Sequence, residues 1–197
     1  MTMNEKLGTR FVGHIIISDY DTGEIIVDKF NAIHQENMSE AIALSLANRS
    51  NGHIHEMVFG NGASAVSGTG AITYFPPNVV GADAQLYNQT YQKVVDDLSP
   101  LNLDKTRNRM RVQHVQGTTY SDIIVECVLD FGEPSGQQAF DDATNNDGEF
   151  VFDEIGLKGF DSTPGNGKLL THVIFHPVQK SLNRRLRFLY TVRVFMC

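Results

Sequence analysis

The sequence predicts a mainly β protein: a β-sandwich or jelly-roll-like fold with one amphipathic helix near residues 36–49. About nine short runs of β-branched, aromatic or alternating residues follow one another at intervals of roughly 10–20 residues. A helical pattern stands out only once, early in the chain. Strands and helices do not alternate as they would in a parallel α/β sheet. These observations favour packed antiparallel strands with a helix on one side.

Turn residues, glycine or proline bound most of the predicted strands. The strand-like runs cover residues 11–18, 24–30, 53–59, 71–75, 109–115, 121–130, 150–157, 169–176 and 186–196. The first two are joined by the turn residues 19–23, which predicts a hairpin. Pro76 and Pro177 are expected to end two strands, because proline cannot donate to a sheet ladder. Residues 85–98 fit either a helix or a strand.

The helix is predicted from one apolar face, which is formed by Met38, Ala41, Ile42, Ser45 and Leu46. Asn37 or Ser39 is expected to cap its start, and Asn51-Gly52 to mark its end. Amphipathic helices bury their apolar face, so we expect this helix to pack on a sheet.

The length of 197 residues fits one β-rich domain, residues 1–197, with long loops at about 60–70 and 132–148. No apolar run approaches the ~20 residues that cross a bilayer, and the first residues lack the apolar core of a signal peptide. The two cysteines, Cys127 and Cys197, do not suggest a disulfide scaffold. These features predict synthesis in a reducing cytoplasm and no membrane partner.

Charge is segregated along the chain, whose net charge is −7. Residues 162–197 hold six Lys and Arg and no Asp or Glu, whereas residues 1–161 hold all 23 acidic side chains. A basic end could bind nucleic acid or the acidic surface of a second copy. Nucleic acid is disfavoured, because the acidic remainder would repel it. The candidate interaction residues are Lys180, Arg184, Arg185, Arg187 and Arg193. Three of them, Arg185, Arg187 and Arg193, share one face of a strand.

Residues 57–77 contain a G-x-G-x-x-A pattern at Gly60, Gly62 and Ala65, directly after a predicted strand. A dinucleotide site needs a helix straight after such glycines, because the helix N-terminus holds the pyrophosphate. Here a short strand and Pro76-Pro77 follow instead. We therefore interpret the segment as a flexible connection between strands and predict no cofactor.

Two other loops partly match phosphate and calcium motifs. Lys168 is followed by leucine rather than Ser or Thr, and Ser162 stands where a P-loop has its first glycine. A calcium loop would place Gly148 sixth and Glu154 twelfth, but Ala143 would then be first and cannot ligate. Solvated turns explain both loops, with an irregular cation site as the alternative for the second.

Two histidine pairs lie at strand spacing, namely His53 with His55 and His172 with His176. With a carboxylate such as Glu56 or Asp153 they could bind a metal. Nothing in the sequence brings the pairs together, so we interpret them as histidines in or beside the sheet and predict no metal site.

Motifs for catalysis are absent from the sequence. There is no zincin helix motif and no G-x-S-x-G elbow. Neither cysteine has a neighbouring side-chain cation that would stabilise a thiolate. We therefore predict no catalytic residues, no small-molecule substrate and no enzyme activity.

Residues 150–194 combine an acidic D-E-I-G-L turn, a glycine-centred hairpin and a terminal strand. The residues of this pattern are Asp153, Glu154, Ile155, Gly156, Leu157, Gly167, Leu169, Leu170, Phe175, Pro177, Val178 and Lys180. The pattern resembles the closing segment of many tailed-bacteriophage virion proteins, especially the tail-collar-fibre-like group. Residues 31–62, a helix followed by a strand and glycines, resemble the entry segment of such proteins.

The resemblance implies a non-enzymatic part of a phage virion, assembled in the host cytoplasm, in the tail, baseplate, or neck and collar. The chain has no long fibrous or coiled-coil stretch. We therefore interpret it as a connector or scaffold subunit that assembles with copies of itself and with other virion proteins. The alternatives are a capsid decoration protein and a carbohydrate-binding module of a receptor-binding structure. The latter would expose an aromatic platform, and the absence of Trp counts against it.

Overall fold

The computed structural model describes residues 8–135 and 150–196, and these ranges form a mainly β structure with one helix. The elements are β1 (Thr9–Asp19), β2 (Ile25–Ile33), α1 (Gln35–Leu46), β3 (Ile54–Gly60), β4 (Ser64–Val66), β5 (Ile72–Tyr74), β6 (Gln89–Val94), β7 (Arg109–His114), β8 (Tyr120–Leu129), β9 (Val151–Gly159), β10 (Leu169–Gln179) and β11 (Leu186–Met196). The mainly β prediction is confirmed. Each predicted strand overlaps an observed one, and residues 85–98 contain a strand rather than a helix.

Nine strands form one antiparallel sheet in the order β6-β3-β9-β10-β2-β1-β11-β8-β7, and β4 pairs with β5 separately. Strand β2 connects two halves of the large sheet, because residues 25–31 pair with β1 and residues 32–33 pair with β10. The halves face each other: the Phe59 ring of β3 lies 5.0 Å from the Phe188 ring of β11. The sheet therefore curls into a sandwich-like body.

The hydrophobic core lies between the two halves of the sheet. On β11 the alternate residues Leu186, Phe188, Tyr190 and Val192 are buried, as a period of two requires. Strands β3 and β9 differ, because every one of their residues is buried. Loops that hydrogen-bond to Glu56 and Glu154 cover the outer face of these two strands.

Helix α1 packs on the sheet as expected, but both predicted ends are wrong. His34 caps its start, because the ring Nδ1 accepts the N–H of Asn37 at 3.2 Å. The Asn37 side chain instead donates to the carbonyl of Leu169 on β10 at 2.9 Å. Asn48 adopts a left-handed conformation with φ of 53°, so the chain leaves the helix before Asn51-Gly52. No helix of the described residues is long and apolar enough to cross a membrane.

Pro177 does not end strand β10, contrary to the prediction. The strand continues to Gln179, and its pairing with β9 is irregular between Ile174 and Val178. Proline is tolerated where a bulge interrupts the ladder, because no donor is needed there.

The glycine segment is more ordered than a flexible connection. Residues 64–66 pair with residues 72–74, which makes a hairpin that we call the arm hairpin, residues 63–75. A strand, not a helix, therefore follows the glycines, in agreement with the rejection of a dinucleotide motif. The loop predicted at 132–148 lies mostly outside the described residues.

Gly156 on β9 is required by close packing. A Cβ atom there would lie 2.5 Å from Leu169 Cδ1 and 2.6 Å from the Thr171 carbonyl oxygen, which is backbone and cannot move aside. Gly156→Ala is therefore expected to lower the free energy of unfolding by about 1–3 kcal/mol in urea titrations. Gly68→Ala is the matched control, because a Cβ at Gly68 meets nothing within 4 Å. Equal stability of the two variants would contradict the prediction.

Candidate functional site

A buried carboxylate on β9 connects three separate parts of the chain. Glu154 accepts four hydrogen bonds: from the backbone N–H groups of Gly62, Tyr87 and Asn88 and from the His172 ring, at 2.8–3.1 Å. Both carboxylate oxygens of this fully buried side chain are thus filled by donors.

The proton of His172 is placed by its two neighbours. The backbone N–H of Asn78 donates to His172 Nδ1 at 2.8 Å, so that nitrogen is unprotonated. His172 Nε2 lies 2.9 Å from Glu154 and must therefore be the N–H donor. The arrangement defines a neutral imidazole whose two nitrogens are both occupied.

Burial raises the pKa of Glu154, but the hydrogen bonds from His172, Asn88 and Tyr87 outweigh burial and hold the pKa below its usual range. The neighbouring Asp153 accepts from the Ala63 backbone and the Ser64 hydroxyl at 3.1 and 2.5 Å. Burial nevertheless raises the pKa of Asp153. The two carboxylates attach the arm hairpin and the preceding glycines to β9.

This finding corrects the calcium-loop alternative at its described end. Glu154, the twelfth residue of that loop, is occupied by backbone and histidine donors inside the protein. Positions 143–148 lie outside the described residues.

The predicted basic face is already paired within the chain. Arg187 and Arg193 of β11 form ion pairs at 2.8 and 2.6 Å with Glu126 and Asp122 of the adjacent β8. The two arginines before β11 pair with the end of β1 and the turn after it, Arg184 with Asp19 and Arg185 with Asp21. Acidic and basic parts of the sequence therefore meet inside one chain, because β11 lies between β1 and β8. The arginines stay a predicted interaction face, but their charge is largely balanced.

Lys180 is the fifth candidate interaction residue, and the structure leaves none of its surface exposed to a partner. Its side chain is fully buried and its ammonium donates to the Ser181 carbonyl at 3.0 Å. Burial lowers the pKa of Lys180 to about 8. A partner cannot reach this residue without unfolding the region around it.

The two histidine pairs do not meet. His172 is bound to Glu154, and His176 Nδ1 lies 3.0 Å from the Tyr74 hydroxyl of the arm hairpin. His53 and His55 instead lie beside Asp96, which follows β6. Sequence reasoning had considered Glu56 or Asp153 as the carboxylate, whereas Asp96 occupies that place.

Sequence reasoning also missed a loop that displays three leucines. We call residues 96–104 the leucine loop. Its leucines are highly exposed: 87% for Leu98, 56% for Leu101 and 97% for Leu103. Three polar side chains of the loop are buried: Asp96 before the first leucine, and Ser99 and Asn102 between the leucines. The signal in the sequence is the alternation of leucine with short turn-forming polar residues, D-D-L-S-P-L-N-L-D.

Hydrogen bonds from the buried polar side chains fix the backbone of the leucine loop. Asp96 accepts the Leu98 N–H at 2.9 Å, and Ser99 accepts the Leu101 N–H at 3.2 Å. The Asn102 amide donates to the carbonyls of Asp96 and Asn108 at 3.2 and 2.7 Å. The loop is therefore built to keep its polar groups inside and its leucines in solvent.

Exposed aromatic residues surround a shallow groove of about 440 Å³ beside the arm hairpin. Phe30, Tyr74 and Phe75 line it, and the Tyr87 ring lies 5.3 Å from the Phe75 ring. These side chains are exposed although they are aromatic. They form a small aromatic platform that the composition alone did not indicate.

Cys127 is unsuited to nucleophilic chemistry. It is completely buried on β8, and burial raises the pKa of its thiol to about 12. The other cysteine, Cys197, lies outside the described residues.

No family model, no curated protein and no solved structure matches this chain.

Glu154→Gln is expected to lower the free energy of unfolding by about 2–4 kcal/mol. Glutamine has one acceptor oxygen, so either orientation of its amide turns an NH2 group toward two N–H donors. Urea unfolding measures the change. Glu40→Gln is the control, because Glu40 forms an exposed ion pair with Lys168 and its loss should change little.

The cost of Glu154→Gln is also expected to depend on pH. The folded pKa of Glu154 lies below its ordinary value of 4.5. Its ionised form therefore contributes full stability above that pH, and the contribution is lost as the pH falls through the folded pKa. The difference in unfolding free energy between wild type and variant should shrink in acid. A difference that stays constant from neutral pH into this range would contradict the assignment.

Proposed function

We propose that this protein is a non-enzymatic structural subunit of a tailed-phage particle. In this role it is a connector or scaffold of the tail, baseplate, or neck and collar that assembles with copies of itself and with other virion proteins. The leucine loop carries the proposal, because it is a rigid element that presents apolar side chains for contact with another protein.

The three leucines are exposed because hydrogen bonds fix the backbone of their loop. Isolated apolar side chains on a surface are common, but here buried turns hold Leu98, Leu101 and Leu103 outward together. A loop that is already ordered loses little conformational entropy on binding, which favours association. Burial of these leucines by a second protein would remove their apolar surface from water, which lowers the free energy.

The residues that carry the resemblance to phage virion proteins have structural roles in this chain. The D-E-I-G-L residues lie within β9 rather than in a turn. Asp153 binds the arm hairpin, Glu154 binds Gly62 and the loop before β6, and Gly156 allows β10 to approach. These are structural tasks in a sheet that carries projecting loops. They suit a subunit that positions loops for assembly.

The buried ionisable groups also favour a structural protein over an enzyme. Glu154 and Lys158 are each bound by partners of this chain, Lys158 through Gln89 and the Gly165 carbonyl at 2.7 and 2.6 Å. Catalytic groups need a substrate within reach, whereas these groups hold loops in place.

Assembly through leucines is expected to be insensitive to salt. The four predicted interface arginines are paired inside the chain, so packing of a basic face on an acidic face is not the main attraction. Apolar contacts are not screened by salt. We therefore expect the oligomer to persist at high ionic strength.

Replacing the three leucines by serine is expected to convert an oligomer into a monomer in light scattering at low and high salt, because serine has no apolar surface to bury. The variant should keep its stability, since the side chains are exposed in the folded chain. Leu46→Ser is the matched control, because Leu46 is 85% exposed at the end of α1 and lies outside the leucine loop. A wild type that is monomeric at every concentration would remove self-assembly from the proposal.

The role in a particle is tested separately. Mass spectrometry should detect the chain in purified virions of the phage that encodes it, and its absence from particles would overturn the proposal. Immunogold labelling then distinguishes the tail, baseplate or collar from a capsid position, which would make the chain a decoration protein.

The aromatic groove supports a second candidate, a carbohydrate-binding module of a receptor-binding structure. Sugars stack on exposed aromatic rings, and Tyr74, Phe75 and Tyr87 provide three beside one groove. Tyr74→Ala should then abolish binding on a bacterial glycan array while the leucine variant binds normally. No glycan binding by the wild type would discard this candidate.

A further inference from the structure

Two histidines and one aspartate converge beside the leucine loop. His53 directly precedes β3, His55 lies within β3, and Asp96 begins the leucine loop after β6. The backbone aligns them, because the N–H groups of Val95 and Asp96 both donate to the His55 carbonyl at 2.9 and 3.2 Å. The cluster is therefore positioned by the pairing of two strands rather than by mobile side chains.

The spacing of the nitrogen and oxygen atoms matches a metal site. Asp96 Oδ2 lies 3.4 Å from His53 Nε2 and 3.5 Å from His55 Nδ1, and one atom from each residue lies within 4.8 Å of the others. Ligands at 2.0–2.1 Å in a tetrahedral site are about 3.3–3.4 Å apart. The distances from Asp96 Oδ2 to the two histidine nitrogens are thus close to the ligand spacing around one zinc ion.

His55 supplies an independent reason to expect a ligand. Its ring is 1% exposed, and neither ring nitrogen has a hydrogen-bond partner. Buried polar atoms are nearly always bonded, so an unpartnered buried imidazole needs an explanation. A metal on Nδ1 would provide one of the missing partners.

Neighbouring groups leave the metal-binding atoms available and hold them in place. Asp96 uses Oδ1 to accept the Leu98 N–H, which leaves Oδ2 facing the two histidines. The Phe160 ring stacks on His53 at 5.7 Å and meets His55 edge to face at 5.0 Å. An apolar side chain beside a metal site limits the access of solvent to its ligands.

We propose that His53, His55 and Asp96 bind one divalent transition-metal ion of the zinc type, with water in a fourth, open position. The His53 side chain is 43% exposed, which gives the ion and the water a route from solvent. Two imidazoles and a single carboxylate suit zinc, cobalt, nickel or copper, whereas calcium and magnesium prefer oxygen ligands. The sequence predicts no metal site, because no pattern in it connects Asp96 with the first histidine pair.

The ion would also stiffen the leucine loop through Asp96. The same carboxylate that binds the metal through Oδ2 holds the Leu98 N–H through Oδ1. The metal site does not depend on the proposed virion role, and it is tested on the isolated chain. The leucine variants retain all three ligands, so the two proposals can fail separately.

The test is a metal titration of protein first stripped with a chelator. Zinc chloride is titrated by calorimetry and cobalt chloride by visible absorption, where a tetrahedral site gives intense bands. His53→Gln and Asp96→Asn should each weaken binding by more than about 100-fold, because even outer partners contribute 10–100-fold. Asp96→Asn can keep the Leu98 hydrogen bond through its amide oxygen, so it should stay folded.

His14→Gln is the matched control, because His14 lies 2.6 Å from Asp28 without a second histidine and both are partly exposed. It should bind metal as the wild type does. One zinc per chain, lost in both ligand variants and kept in the control, would support the site. No binding by the wild type, or equal binding by folded ligand variants, would overturn it. Zinc should in addition slow hydrogen exchange at the Leu98 N–H in the wild type and in His14→Gln, but not in the two ligand variants.

Discussion

The structure depends on one buried carboxylate that takes donors from three parts of the chain. Glu154 lies on a strand whose two faces are both buried, and its outer face is covered by loops rather than by a second sheet. Loops carry unpaired N–H groups, which are costly to bury without acceptors. A carboxylate with two oxygens satisfies three such N–H groups together with the His172 ring, and so allows the loops to close over β9.

The same solution appears a second time on the outer face of β3 and β9. Glu56 accepts the Gly165 N–H at 2.8 Å, while Lys158 donates to the Gly165 carbonyl at 2.6 Å. Burial lowers the pKa of Lys158 to about 8, although Glu56 raises it. One turn thereby has its donor and its acceptor bound by charges of opposite sign. Charged residues on the buried strands β3 and β9 thus hold loops over the sheet, in the place where a helix could otherwise pack.

The sequence predicted elements better than it predicted contacts, for physical reasons. Alternation on β11 separates Phe188 and Tyr190 from the arginines, and the structure buries those two rings in the core. It could not show that Glu154 is buried, since a D-E pair in a strand has the same composition whether loops or solvent cover it. Segregated charge suggested a partner, yet antiparallel pairing of β11 with β8 brings Arg193 to Asp122 within one chain. Such pairing depends on strand order, which periodicity does not encode.

The buried charges named above all have hydrogen-bond partners, but two other groups lack suitable contacts. Both of these groups contact the same residue. The leucines of the leucine loop are exposed apolar groups, and His55 is a buried polar group without a hydrogen-bond partner. Asp96 contacts both, with one oxygen on the Leu98 N–H and the other beside His55. A ligand bound to the histidines would therefore act on the loop through a single carboxylate. If a partner covers the leucines, further stiffening of the loop by the ligand would reduce the entropy lost in that step, so ligand binding and assembly would be thermodynamically coupled.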